Sequence, residues 1–247
     1  MPIGIMSAMP EEVDALVARL EHPRFHDRAG RRFIHATCHG VPLVVVFSRW
    51  GKVAAASTAT ELIVAHSVDR IVFSGVAGSL RPEVSIGDVV VANELVQHDL
   101  DASPFFPPRV VPLLGVERLP TDAAMSESLA RAARDFLRDD SPRAWEQLAR
   151  RPHTNSLHRG VIATGDRVIA SHDARLAINA SIPDALCVEM EGAAVAQVCL
   201  EHAVPFACVR TISDSADHHV ESSFASFIAG LASAYTAGIV GRWLRSL

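Results

Sequence analysis

Residues 187–217 read CVEMEGAAVAQVCLEHAVPFACVRTISDSAD. An apolar run of strand length, Leu186 to Met190, leads into Glu191, whose place suits the first turn of a helix. A second run, Phe206 to Ile212, ends on Ser213 and Asp214. The same alternation extends towards the N-terminus. Gly160 to Thr164, Asp88 to Val96, Arg70 to Ser74, Leu43 to Ser48, Phe33 to Cys38 and Ile3 to Ala8 are short, apolar and rich in β-branched residues, the pattern of strands. Asp122 to Arg138 and the alanine-rich Lys52 to His66 read as helices. Towards the C-terminus, Phe224, Phe227, Ile228, Leu231, Tyr235, Ile239 and Trp243 recur at spacings of three and four, one apolar stripe on one final helix. Nearly continuous apolar strands between helices predict an α/β fold. Its central sheet is twisted, mixed and mostly parallel, with helices on both faces.

The chain has 247 residues, 49% hydrophobic and 21% charged, enough for one sizeable core, and residues 1–247 are expected to form a single domain. Pro104, Pro107, Pro108 and Pro112 mark a loop within 81–120 that suits an interface or a function better than a linker. Residues 139–158, with Pro142, Pro152 and several arginines, read as a surface excursion. The formal net charge of -5 is spread along the chain without a basic stripe, which argues against a nucleic-acid partner. No apolar run is long enough to span a membrane, and no secretory signal is recognisable. Cys38, Cys187, Cys199 and Cys208 form no CxxC pair and lie in apolar surroundings, as expected of reduced thiols in a cytoplasmic protein. The twelve histidines show no metal-ligand spacing, and no metal is expected.

In open parallel sheets, ligands gather at the carboxyl ends of strands. Those ends carry Met9 to Glu12, Gly75 to Ser79, Gly165-Asp166, Glu189 to Glu191 and Arg210 to Asp214. Glu11 and Glu12 suit the positive end of a helix dipole, which is also a purely structural use for them. Gly75-Val76-Ala77-Gly78 reads as a small-residue turn that admits a ligand close to the backbone. Glu189 and Glu191 flank Met190. A carboxylate accepts two hydrogen bonds side by side, which suits vicinal ribose hydroxyls, and methionine offers an adaptable apolar wall. Asp214 is either a cap or loop acid, or a proton donor whose pKa burial has raised.

Taken together and in order, IGIMSAMPEEV at 3–13, GKVAAASTAT at 51–60, SGVAGSL at 74–80, GDVVVANELVQHDLDASPF at 87–105, TGD at 164–166, CVEMEGAAVAQVC at 187–199 and VPFACVRTISDSAD at 204–217 resemble the methylthioadenosine/S-adenosylhomocysteine nucleosidases. These enzymes belong to the purine nucleoside phosphorylase superfamily, so the resemblance implies a nucleoside phosphorylase-like fold. It also implies hydrolysis of the bond between adenine and ribose, releasing adenine and a 5-thioribose derivative, with no metal or organic cofactor. In that likeness Glu12 activates water with help from Arg210, and Asp214, supported by Ser213, protonates adenine N7. Glu191 binds the ribose hydroxyls and Met190 packs on the sugar, with Glu189 beside them. Val76, Ala77 and Gly78 line the site; backbone near Ile169 reads the adenine edge, and Phe224 with Met9 lines the pocket. The family is dimeric, which implies a homodimer in which Phe105 reaches the neighbouring subunit's site. Val76 departs from the usual serine, Val168 from an aromatic that stacks on adenine, and Trp50 from a smaller aliphatic residue. These departures, and the loop HDLDASPFFPP at 98–108, bear on substrate preference.

Two other readings share this fold. A phosphorylase would use phosphate in place of water and would need a basic pocket, for which Arg49 and Arg210 are the candidates; Glu12 beside the anion would repel it. A nucleoside-binding protein without turnover would have little physical reason to keep both acids. A dinucleotide-binding dehydrogenase lacks support, because no GxGxxG follows the first strand.

Overall fold

The computed structural model describes residues 1–147 and 155–247. Strand β1 (Ile3–Ser7) leads through a single 3-10 turn (Pro10–Glu12) into the short α1 (Asp14–Val17), then β2 (Glu21–Arg28), β3 (Arg31–Cys38), β4 (Val41–Phe47), α2 (Lys52–Val64), β5 (Arg70–Ser79) and β6 (Val89–Gln97). The second half contains β7 (Leu119–Pro120), α3 (Ala123–Asp139), α4 (Ser141–Gln147), β8 (Leu157–Thr164), α5 (His172–Ser181), β9 (Ala185–Glu189), α6 (Gly192–Glu201), β10 (Phe206–Asp214), α7 (Val220–Gly230) and α8 (Ala232–Arg245).

The strands form one mixed sheet in the order β10-β6-β8-β9-β5-β1-β4-β3-β2, and β10 also pairs with β5. Parallel pairs β4-β1-β5-β10 make one half and β6-β8-β9 the other. The halves meet antiparallel where β10 pairs with β6 and where β5 pairs with β9. The sheet thus curls, and β5, β10, β6, β8 and β9 close on themselves rather than forming the open sheet from which the strand ends were read. Alternate residues face opposite layers. Ile5, Val72, Val89 and Val91 pack with Leu129, Phe136, Tyr235 and Trp243 of α3 and α8. Met6, Ile71, Phe73 and Val90 pack with Ala55, Leu62, Val195 and Cys199 of α2 and α6. Burial on both faces is why these strands read as unbroken apolar runs.

Three expectations need correction. The final stripe is two helices, α7 and α8, bent by 54° at Leu231. The apolar pattern runs on without a gap, but Gly230 is a poor helix former, and α8 alone is sunk in the core. β2 was missed because Glu21–Arg28 is exposed along its whole length and has no apolar alternation; it is held by pairing with β3. The excursion at 139–158 is not simply superficial. Trp145 of α4 is buried, its Nε1 donates to the Tyr235 hydroxyl at 2.9 Å, and Ser141 Oγ lies 2.8 Å from the same hydroxyl. Pro152 lies outside the described residues.

Candidate functional site

Strand β5 is the hub. Gly75-Val76-Ala77-Gly78, expected as a turn after a strand, lies inside β5, flanked by β10 on one side and β9 on the other. The register sets Arg210 opposite Gly75 and Asp214 opposite Gly78, and it brings the end of β9 in from the other side. The glycines make room for acids as much as for a ligand. A β-carbon at Gly75 would lie 2.7 Å from Glu12 Oε1, and one at Gly78 would lie 2.7 Å from Asp214 Oδ1.

Glu12, in the turn after β1, is buried, and its carboxylate is held by main chain. Its Oε2 accepts from the N–H groups of Ala8 at 2.8 Å and Met9 at 3.0 Å, and its Oε1 from Val76 N–H at 3.0 Å. Burial raises its pKa, opposed by the Arg210 charge and by those three donors. Asp214, the last residue of β10, accepts from Ser213 Oγ at 2.8 Å and from Ala216 N–H at 2.9 Å. Burial raises its pKa too, with Ser213 and Ala216 working against it and the charge of Asp217 adding to it. Glu191 stands at the start of α6 without capping it and accepts from Gly51 N–H at 2.8 Å. Burial, with Glu189 nearby, pushes its pKa up to about 8.

The helix-start role falls to Glu189. It accepts from Glu191 N–H and Gly192 N–H, takes a short hydrogen bond from Thr164 Oγ1, and forms a 2.5 Å ion pair with Arg210 Nη2. Two expectations change as a result. Glu189 is committed to the scaffold, so Glu191 alone of this pair is free towards a ligand. Arg210 does not hydrogen-bond Glu12; it lies behind the wall, its guanidinium 4.1 Å from the Phe73 ring centre, and acts on Glu12 through its field.

Glu12, Glu189, Glu191 and Asp214 face one cavity of about 350 Å³. Met9, Glu12, Val76, Ala77, Gly78, Ile169, Glu189, Met190, Glu191, Ser213 and Asp214 line its interior. Trp50, Val168 and Phe224 stand at its mouth, where Trp50 and Val168 are about half exposed and Trp50 meets Phe224 edge-on at 6.0 Å. Arg210 and Phe105 are not in the wall, and Phe105 is 85% exposed in the chain on its own. Arg167 and Glu221 are wall residues that the sequence reading missed. Arg167 directly precedes Val168. Glu221 sits three residues before Phe224 on α7, a spacing that shares a helix face and could have found it. Among the described residues no group of three histidine, cysteine or acidic side chains is placed to hold a metal ion.

The family model described as the phosphorylase superfamily matches residues 2–245. The chain belongs to that superfamily. Within the superfamily it is similar to nucleosidases. An aminodeoxyfutalosine nucleosidase of Helicobacter pylori is 37% identical over 231 residues, spanning 92% of this chain and 90% of the relative. A 5′-methylthioadenosine/S-adenosylhomocysteine nucleosidase of Chromohalobacter salexigens is 34% identical over 227 residues, spanning 92% and 89%. The crystal structure of the nucleosidase of that name from Neisseria meningitidis, in complex with methylthio-immucillin-A, matches 100% of this chain and 99% of its own, with a TM-score of 0.89 at 29% identity.

Proposed function

We propose that this protein hydrolyses the N-glycosidic bond of a 5′-substituted adenosine, 5′-methylthioadenosine or S-adenosylhomocysteine, releasing adenine and a 5-thioribose derivative. The observation that carries the reading is a pair of buried carboxyl groups, Glu12 and Asp214, on the wall of one cavity, both with raised pKa values. Breaking this bond leaves a sugar with oxocarbenium character, so the base must be protonated as it departs and water must be activated on the other side. Paired carboxyl groups serve glycoside hydrolysis by the same division of labour. Desolvation raises the Asp214 pKa and so favours its protonated form; Ser213 orients it, and it delivers a proton to adenine N7. Glu12, stiffened by three main-chain donors, removes a proton from water. Glu191 takes the ribose hydroxyls, Met190 packs on the sugar, and backbone near Ile169 reads the adenine edge.

Water suits the site better than phosphate. Arg210 is tied to Glu189, Arg49 Nη2 donates to Gly30 O away from the wall, and Arg167 at the mouth is the one basic side chain among the described wall residues. Purified protein should release adenine from either thio-nucleoside equally fast with and without phosphate. Dependence on phosphate would make it a phosphorylase, and binding without release would make it a nucleoside-binding protein.

The same reading extends to assembly and location. The exposed Phe105, with Val53 and Val64 three turns apart on α2, supports a homodimer in which Phe105 closes the partner's pocket; sedimentation velocity tests it. Four free, buried cysteines support a cytoplasmic setting. Among the described residues no single helix is long and apolar enough to cross a membrane.

A further inference from the structure

A second cavity, of about 480 Å³, is lined by residues next in sequence to the wall of the first, among them Ser79 and Ser215, and the proposed chemistry makes no use of it. Its polar wall is basic. Arg81 Nε donates to Ala185 O at 2.9 Å, while its Nη2 is buried and has no hydrogen-bond partner among the described residues. Arg175, on α5, donates from Nη1 to Ser215 O at 3.0 Å, and its Nη2 lies 3.0 Å from His172 Nδ1. Elsewhere Arg109, Arg118, Arg210 and Arg242 each meet a carboxylate. Arg81 and Arg175 form no ion pair among the described residues. A buried guanidinium N–H left without an acceptor is costly, and two arginines on one wall that meet no carboxylate among the described residues are the arrangement that an oxyanion satisfies. The rest of the wall includes Val84, Ile86 and the buried Trp145. The space also far exceeds a bare inorganic oxyanion, whose size is on the order of two or three waters of ~30 Å³ each.

We propose that this cavity is a second ligand site, taking an organic anion with its oxyanion head between Arg81 and Arg175 and its apolar body against Trp145, Val84 and Ile86. The two cavities share backbone. Ser79 follows Gly78, and the peptide between Ser215 and Ala216 joins the sites at its two ends. Its carbonyl accepts from Arg175, and its N–H donates to Asp214. An anion that neutralises Arg175 depolarises this peptide, weakens the N–H donor and makes Asp214 hold its proton more firmly. Asp217 and His172 are further titratable groups at this seam. The coupling rests on the reading of Asp214 as the acid; the site itself does not.

Calorimetry on the intact protein with phenyl phosphate, inorganic phosphate and phenol tests the site without reference to activity. Phenyl phosphate should bind once per chain, inorganic phosphate about tenfold or more weakly, and phenol undetectably. Arg81→Met and Arg175→Met should each weaken phenyl phosphate about tenfold or more, the loss expected for one charge-assisted hydrogen bond. No binding at millimolar ligand, or binding by both variants as tight as that of the wild type, overturns the site. Should either variant fail to fold, a wild-type crystal soaked in phenyl phosphate decides: density between the two arginines supports the site, and density only beside Glu12 and Asp214 overturns it. With binding established, saturating phenyl phosphate should move the high-pH limb of the kcat profile for adenine release upwards. An unmoved limb overturns the coupling.

Discussion

The floor and the mouth of the cavity that Glu12 and Asp214 line are built on different principles. On the floor, Glu12, Asp214 and Glu191 are buried, and each carboxyl is gripped by main-chain N–H groups that belong to strands or to the turns beside them. At the mouth, Trp50 and Val168 lie half exposed on connecting segments, and Trp50 meets Phe224 edge-on. Preorganised groups in a dry, rigid setting suit a reaction that must be repeated identically. Exposed apolar groups on loops suit the recognition of a substituent that varies between substrates. The contrast teaches that changes at the floor should act on turnover, and changes at the mouth on the choice of substrate.

The severest test of that contrast replaces the acids themselves. Asp214→Asn and Glu12→Gln should each lower kcat for adenine release roughly 10²–10⁴-fold, the usual worth of one positioned acid or base. Adenine affinity measured by calorimetry should stay nearly constant. If both amide variants kept full activity, the roles given to these residues would be wrong. Next comes Gly75→Ala, which alters neither acid but sets a methyl group 2.7 Å from Glu12 Oε1 and 3.2 Å from Arg210 Nη1. Displacing the base on the order of 1 Å should reduce kcat about 10²-fold in a protein that still folds.

Glu191 sharpens the comparison through pH. Its pKa rises from an ordinary 4.5 to about 8 in the folded chain, so the native state holds a proton that the unfolded state has already lost. The stability tied to that proton is fully present below pH 4.5 and is lost as pH climbs towards about 8. Thermal unfolding of Glu191→Gln should therefore match the wild type most closely in acid and gain on it as pH rises through that window. Above about pH 8, where the wild-type carboxyl is charged, the variant's KM should rise about tenfold through the loss of that acceptor. A constant difference in melting temperature across the range would refute this account. Smallest of all is Trp50→Ala. It should raise KM about three- to tenfold for substrates with a bulky 5′ group, the worth of one aromatic contact, and leave kcat almost untouched. An equal effect on kcat would erase the distinction between floor and mouth.

Much of this is legible in the sequence. Strand-length apolar runs are a local signal, and burial of the sheet on both faces makes that signal strong at Val72, Val90 and Val209. The acids at the strand ends stood out because carboxylates are costly there without a purpose. What stayed hidden depended on partners distant in the chain. Glu189 and Glu191 look alike in sequence, and only the arrival of Arg210 and Thr164 at one, and of Gly51 at the other, separates their roles. β2 carries no apolar period because it is an exposed edge. The bend at Leu231 left no gap in the stripe, since both halves are apolar. Arg81 and Arg175 lie 94 positions apart and become neighbours only through the fold.

Glu12 is held by the N–H groups of Ala8, Met9 and Val76 and, among the described residues, by no side-chain hydrogen bond. Every residue except proline brings such a group. The grip on this carboxylate is therefore indifferent to which residue other than proline is encoded at positions 8, 9 and 76, so long as the strands keep their course. A change of side chain at position 76 would reshape the cavity lining at no cost to the hold on Glu12. Divergence in substrate choice is then open to single-codon steps, whereas Gly75, which makes room for the carboxylate, leaves almost no latitude.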